Sequence, residues 1–279
     1  MGIRQFATSL SVIYRTEHTN RISALVRHVL WQARKLRPSA PITRRLSRSM
    51  LTDDEPGGVI SQVNMLGVYD FNNMNFVRLM LADGGLFVDV GANIGSYTLF
   101  ASENANARVL SLEPNPSAFV KLSRNVSQNA RSNVTAINCA ASAQPGLLRM
   151  TDKGSDPTNR VVPSGLEAGT IEVAVETLDG LCATRGFVPR LIKIDVEGHE
   201  AEVLKGASAC LDKTVACIIE NGDQGLVIDI MTKHFMRGPF YYSLKRGCLS
   251  RQPQRLAEDP IYISRSFAEQ FPEIRIDAE

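Results

Sequence analysis

The 279 residues are 44% hydrophobic and 22% charged with a net charge of +2, the balance of an ordinary globular chain long enough for one large domain and an appendage. No run of about 18 apolar residues occurs, which excludes a spanning helix; the opening residues lack an apolar h-region, an expectation against secretion, and Phe6 breaks the myristoylation pattern. Five scattered cysteines without a C-x-x-C pair, and four histidines at no ligand spacing, suit a reducing cytoplasm and give neither a disulfide framework nor a zinc site.

Residues 1–50 hold ten Arg or Lys against Glu17, a net of +9, so the remainder stands at −7. The chain is therefore read as a basic arm over 1–50 followed by a mildly acidic domain over 51–279. Within the arm, Ile22, Leu25, Val26, Val29, Leu30, Ala33 and Leu36 fall at helical spacing in 21-RISALVRHVLWQARKL-36, with Arg21, Arg27, Arg34 and Lys35 largely elsewhere. Such a helix either packs on the body with its arginines solvated or rests on an anionic membrane surface. The segment 37-RPSAPITRRLSRS-49, with two prolines and three serines, reads as a linker.

From about residue 70 strands and helices alternate, the pattern of a parallel sheet covered on both faces. A helix over 72–82 leads through 83-DGG-85 into a strand over 86–90, a helix over 95–104 and a strand over 108–113. Pro114 and Pro116 stop that strand, and Phe119, Leu122 and Val126 give the stripe of the next helix. A strand over 133–139, a less regular stretch over 142–175, a short helix from Thr177, a strand over 190–195, a helix over 199–211 and a strand over 214–220 follow. The segments 240-FYYSL-244 and 260-PIYIS-264 are expected to close the sheet as an antiparallel hairpin.

The stretch 87-FVDVGANIGS-96 is a strand, a turn and a helix start, and carboxyl ends of strands in open α/β sheets are where ligands bind. Its spacing is G-x-x-x-G rather than the dinucleotide G-x-G-x-x-G, and no Gly-Lys-Ser follows, so a ligand less phosphorylated than NAD or ATP is implied. About twenty residues on, Glu113 ends the second strand, where an acid accepts hydrogen bonds from ribose hydroxyls. A nucleoside without a phosphate clamp fits S-adenosylmethionine, whose ammonium end Asp89 would suit.

The pieces 67-GVYDFNNMNFVRLMLADGGLFVDVGANIGSYTLFAS-102, 110-LSLEPNPSAFVKLSRNV-126, 139-CAAS-142, 176-ETLDGL-181 and, most specifically, 191-LIKIDVEGHEAEVLKGA-207 resemble the FkbM-type S-adenosylmethionine-dependent methyltransferases. The resemblance runs from about residue 67 to 220, with 260-PIYIS-264 similar to the family's end. It implies a Rossmann-like class I methyltransferase with a seven-stranded, mostly parallel sheet and a C-terminal antiparallel hairpin, methylating a hydroxyl oxygen of a sugar or natural product. By position, Asp89, Gly91, Asn93 and Gly95 would line the methionine and ribose side, Glu113 would hold the ribose with Asn115 beside it, and Asn138, Cys139 and Ala140 would border the adenine. The basic arm lies outside the resemblance.

Methyl transfer from a sulfonium requires an aligned nucleophile and a surround free of stray cations. A sugar hydroxyl is a weak nucleophile, so a positioned side chain is needed to take its proton. Asp195, Glu197 and His199 in 195-DVEGHE-200 are the candidates, with Glu220 ending the next strand. A divalent ion held by Asp195, Glu197 and Glu220 is weighed and not adopted, and Glu197, Glu200 and His199 are equally plain residues for a helix start. Asn159 or Arg160, in the turn-rich stretch 152–165, is a candidate to face an acceptor. The expected partner is a small-molecule or glycan acceptor. The basic arm suggests nucleic acid instead, but the acidic body and the lack of an Asn-Pro-Pro-Tyr type motif disfavour it, and a noncatalytic nucleoside-binding module is the other alternative.

Overall fold

The structure is a computed structural model that describes residues 21–35, 41–55, 58–162, 169–222, 224–234, 236–253 and 259–277. Arm residues 1–20, the expected linker over 37–40 and residues 163–165 of the turn-rich stretch lie outside the described residues.

The described chain opens with helix α1 (Arg21–Lys35), strands β1 (Ile42–Leu46) and β2 (Ser49–Asp53), and helices α2 (Gly58–Leu66) and α3 (Phe71–Met80). The alternating part runs β3 (Gly85–Val90), α4 (Ser96–Ala101), β4 (Ala107–Leu112), α5 (Pro116–Gln128), β5 (Val134–Ile137), β6 (Ala140–Ala141), β7 (Gly146–Thr151), β8 (Thr170–Glu176), α6 (Leu178–Ala183), β9 (Pro189–Ile194), α7 (Glu200–Lys205), α8 (Ser208–Leu211) and β10 (Ala216–Ile219). The chain closes with α9 (Gly225–Lys233), β11 (Arg237–Ser243), β12 (Cys248–Ser250), β13 (Ile261–Ile263), α10 (Phe267–Gln270) and β14 (Arg275–Ile276).

Strands β3, β4, β9 and β10 are apolar runs buried on both faces, which suits parallel strands covered by helices on either side. They lie in a nine-stranded sheet of order β14-β12-β11-β13-β10-β9-β3-β4-β5. The five strands from β5 to β10 are parallel, and β13 inserts antiparallel between β10 and β11. The expected seven strands are therefore nine, because the short β12 and β14 extend the edge beyond β11. Connections leave β3 in opposite directions across the sheet, so a ligand crevice forms at the ends of β3 and β9. One apolar core, with Phe76, Tyr97 and Phe100, fills one face; the other, with Val88, Leu110, Val203 and Leu204, fills the opposite face.

Three expectations are corrected. The segment read as a linker contains β1 and the first residue of β2, and the two strands pair antiparallel from Ile42 with Asp53 through Leu46 with Ser49. Its serines and prolines masked an alternation in which Ile42 and Leu46 turn inward with Leu51 to the same core as Phe76. Asn125 accepts from the Thr52 amide, and Glu103 accepts from Ser47, Ser49 and the Arg48 amide, so this pair crosses the boundary expected at residue 50 and binds to the sheet domain. The stretch over 142–175 holds regular structure at both ends: β7 and β8 pair antiparallel, and β6 joins β8 in a separate three-stranded sheet, while the described residues 152–162 between them form turns and isolated bridges. The helix expected over 199–211 divides at Gly206, where a Cβ would lie 2.0 Å from the Ser142 carbonyl oxygen.

Of the two readings of the basic helix, packing of its apolar stripe on the body is not what the structure shows: among the residues of α1 whose side chains are described, Ala24, His28 and Trp31 are buried, while Ile22, Leu25, Val26, Val29 and Leu30 of the stripe are exposed. No helix among the described residues is long and apolar enough to cross a membrane.

Candidate active site

Three strand ends build the crevice. After β3 the backbone turns at Gly91 with φ +83°, and a Cβ there would sit 1.9 Å from the Asp195 carbonyl oxygen at the end of β9. Only glycine permits that approach. The Gly91 and Ala92 amides donate to Leu112 O of β4, and the Asp195 amide donates to Val90 O, so the three ends are tied by backbone.

Glu113, just past β4, is buried, and both its oxygens are held: Oε2 accepts from the Asn93 amide at 2.7 Å and Oε1 from the Asn115 amide at 2.8 Å. Burial raises its pKa to about 7, and the two amides act in the opposite direction. Asp89, 1% exposed, accepts from Thr98 Oγ1 at 2.7 Å, and burial again raises its pKa.

In the register of β3 with β9, Asp89 stands opposite Lys193. That lysine, 2% exposed, donates to Asp195 Oδ2 at 2.6 Å and lies 4.7 Å from the centre of the Tyr97 ring. Burial favours discharging Lys193, but Asp195, Asp259 and Asp89 outweigh it and raise its pKa. Burial would raise Asp195 as well, yet the Lys193 ammonium holds its carboxyl below the ordinary range. Asp195, Glu197 and Glu220 each bring a carboxylate oxygen within 4.8 Å of the others. Like charges this close push protonation apart: Glu220 is raised to about 8, by burial first and then by Asp195, and Glu197 is raised for the same reasons. His199 is hydrogen-bonded through Nε2 to Ser142 Oγ at 2.9 Å, and burial lowers its pKa, which keeps the imidazole neutral.

The crevice holds about 950 Å³, open solvent at its mouth included, within the range of small-molecule and cofactor sites. Of the residues singled out from sequence, Asp89, Gly91, Asn93, Glu113, Cys139, Ala140, Asp195, Glu197 and His199 line it, together with Asn159 and Arg160. Gly95, Asn115, Asn138 and Glu220 lie outside its wall. Gly95, at φ +93°, precedes α4 where a Cβ would meet Leu122 at 2.6 Å. Asn115 caps α5 through the Ser117 and Ala118 amides, and Asn138 donates to the Glu113 and Pro114 carbonyls.

Residues without a sequence signal complete the site. Val59 of α2, Tyr69, Tyr97, Met150, Asp156 and Pro157 also line the crevice. Tyr97 donates to the half-buried Asp70, and Asp259, whose pKa burial raises to about 7, belongs to the same charged group around Lys193. The roof, residues 152–160, is fastened below: Lys121 Nζ donates to Asp53 at 2.7 Å, Glu55 at 3.2 Å and Ser155 Oγ at 2.5 Å.

Comparison with known proteins gives a consistent picture. The family model described as "Methyltransferase FkbM domain" matches residues 89–239. The hexuronic acid methyltransferase AglP of Haloferax volcanii is 32% identical over 152 residues, 52% of this chain and 60% of that protein, so the match spans about three fifths of the relative's length. The methyltransferase sdnD of Sordaria araneosa is 30% identical over 195 residues, 58% of this chain and 73% of that protein. Among solved structures, the METTL16 MTase domain is similar with a TM-score of 0.46 at 10% identity, covering 88% of this chain and 81% of that one.

Proposed function

The chain belongs to the FkbM methyltransferase family, and from that membership we propose that it transfers a methyl group from S-adenosylmethionine to a hydroxyl oxygen of a sugar, glycan or other small hydroxylated molecule. The observation that carries the reading is one crevice with a nucleoside-type carboxylate, Glu113, at one end and a lysine-held carboxylate, Asp195, at another.

The residues present fit such a cofactor. Gly91 leaves the crevice floor without a side chain, and Glu113, positioned by two amides, retains acceptor capacity for two ribose hydroxyls. Cys139, Ala140, Met150 and Val173 offer an apolar slot for a base. When bound, the cofactor supplies a methyl carbon on a positively charged sulfur. Asp195, kept ionised by Lys193, is the group assigned to accept the acceptor hydroxyl proton, and the neutral imidazole of His199 lines the same wall. Glu220, protonated at neutral pH, spares Asp195 a second adjacent negative charge. The wall sets the carboxyl groups of Asp89, Glu113, Asp156, Asp195 and Glu197 against only Lys193 and Arg160, so it lacks the basic excess that binds a polyanion, which supports a small acceptor over nucleic acid. For a uronic acid, the substrate class in the name of the Haloferax relative, Arg160 offers a cationic partner for the carboxylate.

Calorimetric titration with S-adenosylmethionine tests the reading. We expect binding by the folded protein, weakened at least about tenfold in Glu113→Ala, followed by methylation when hydroxylated sugars are added. A folded protein that takes up no S-adenosylmethionine would sink it.

A further inference from the structure

Helix α1 buries the wrong side for a helix whose purpose is to complete this domain. Ala24, His28 and Trp31 are its buried residues, and the Trp31 ring is covered by the Arg44 guanidinium at 5.4 Å. At about 100° per residue, those three share one arc, and Ile22, Leu25, Val26, Val29 and Leu30 share the opposite one. The second arc is the more apolar, yet it faces water: its exposures run from 41% at Leu25 to 75% at Ile22. A row of five adjoining aliphatic side chains held outward on a fixed helix is an interaction surface rather than scattered exposure.

Charge selects the occupant. Between Glu17 and Asp53 the sequence has no Asp or Glu and eight Arg or Lys, five of them at 21, 27, 34, 35 and 37 in or beside the helix. Two copies of so acid-poor a segment would repel if their apolar rows met. An anionic lipid surface satisfies both properties at once, since the aliphatic row enters the acyl boundary while the net positive charge of the segment favours anionic headgroups. We propose that α1 is an interfacial membrane helix that seats the protein on an anionic bilayer. The site is separate from the crevice, so the proposal does not depend on the methyl-transfer reading.

The test is co-sedimentation of the full chain with vesicles of phosphatidylcholine alone and of phosphatidylcholine mixed with phosphatidylserine, at low and high salt. The mixed vesicles are expected to carry the protein down, the neutral ones not, and salt to weaken the binding. The double substitution Val26→Asp with Leu30→Asp, at two exposed positions, should lower partitioning at least about tenfold while leaving the melting temperature and molar mass unchanged. No binding to mixed vesicles, or equal binding by the double variant, overturns the proposal. A wild-type dimer by light scattering that the double variant converts to monomer also overturns it, and assigns the row to self-association.

Discussion

Lys193 and Asp195, two residues apart at the end of β9, each keep the other ionised in a buried setting. The Nζ to Oδ2 distance is 2.6 Å; the charge and hydrogen bond of Lys193 help overcome the burial that opposes ionisation of Asp195, and Asp195 with Asp259 and Asp89 together overcome the burial of Lys193. Replacing Lys193 by Met removes that support, and burial alone then raises the Asp195 pKa. Since Asp195 must be ionised to take a proton, the acid limb of the rate profile should move to higher pH, measured as kcat/KM against pH. The same loss should destabilise the fold by about 3 kcal/mol in denaturant titration, as expected when one partner of a buried pair is removed. An unchanged acid limb would show that Asp195 is not the base.

Glu113 gives a pH dependence of opposite origin. Its folded pKa of about 7 lies above the ordinary value of 4.5, so its contribution to stability is full below about pH 4.5 and is lost as pH rises through 7. Ribose hydroxyls donate to the ionised form, so S-adenosylmethionine affinity should rise with pH and level off above about 7. Calorimetry at pH 6 in buffers of different ionisation heat should show proton release on binding, and Glu113→Gln should abolish it.

Two glycines separate close approach from strain. Gly91→Ala combines φ +83° with a Cβ 1.9 Å from the Asp195 carbonyl oxygen, and Gly198→Ala has φ +97° with nothing within 4 Å. The first should cost about 3 kcal/mol or more and abolish cofactor binding, and the second about 1 kcal/mol. Thermal unfolding and titration of both variants measure the difference.

Arg160 lines the mouth of the crevice on the roof. With sugar acceptors that are turned over, Arg160→Gln should raise KM for a uronic acid at least about tenfold and leave KM for its neutral counterpart within about twofold. An equal change for both would remove Arg160 from acceptor choice.

Much of the sheet was legible because a strand buried on both faces is a continuous apolar run, as in 86-LFVDV-90 and 190-RLIKID-195. The glycine turn and Glu113 were legible for a related reason, since ligand chemistry collects at the ends of such runs. What escaped depended on distant pairing. Asp259 meets the group around Lys193 only because β13 inserts between β10 and β11, and no local pattern announces that insertion. Strand β1 is hidden by the prolines and serines around it, Pro38, Ser39, Pro41, Ser47 and Ser49, although Ile42 and Leu46 carry the alternation. The periodicity of α1 marks an apolar face without saying what that face meets, so packing on the body and a membrane surface both stay open in the sequence, and only the structure turns Ile22, Leu25, Val26, Val29 and Leu30 outward.

The wall of the crevice draws on two stretches of the chain. Its floor, from Asp89 to Asp195, falls within the span shared with the methyltransferase family, but Val59 in its wall and the Asp53 and Glu55 carboxylates that grip Lys121 and, through it, Ser155 lie upstream of that span. Enclosure thus draws on residues upstream of that span as well as on the roof over 152–160 inside it. A substitution at Val59, or at the Asp53 and Glu55 carboxylates, would therefore reach the crevice from above, through its wall or through Lys121 and Ser155, and leave the residues of the floor in place.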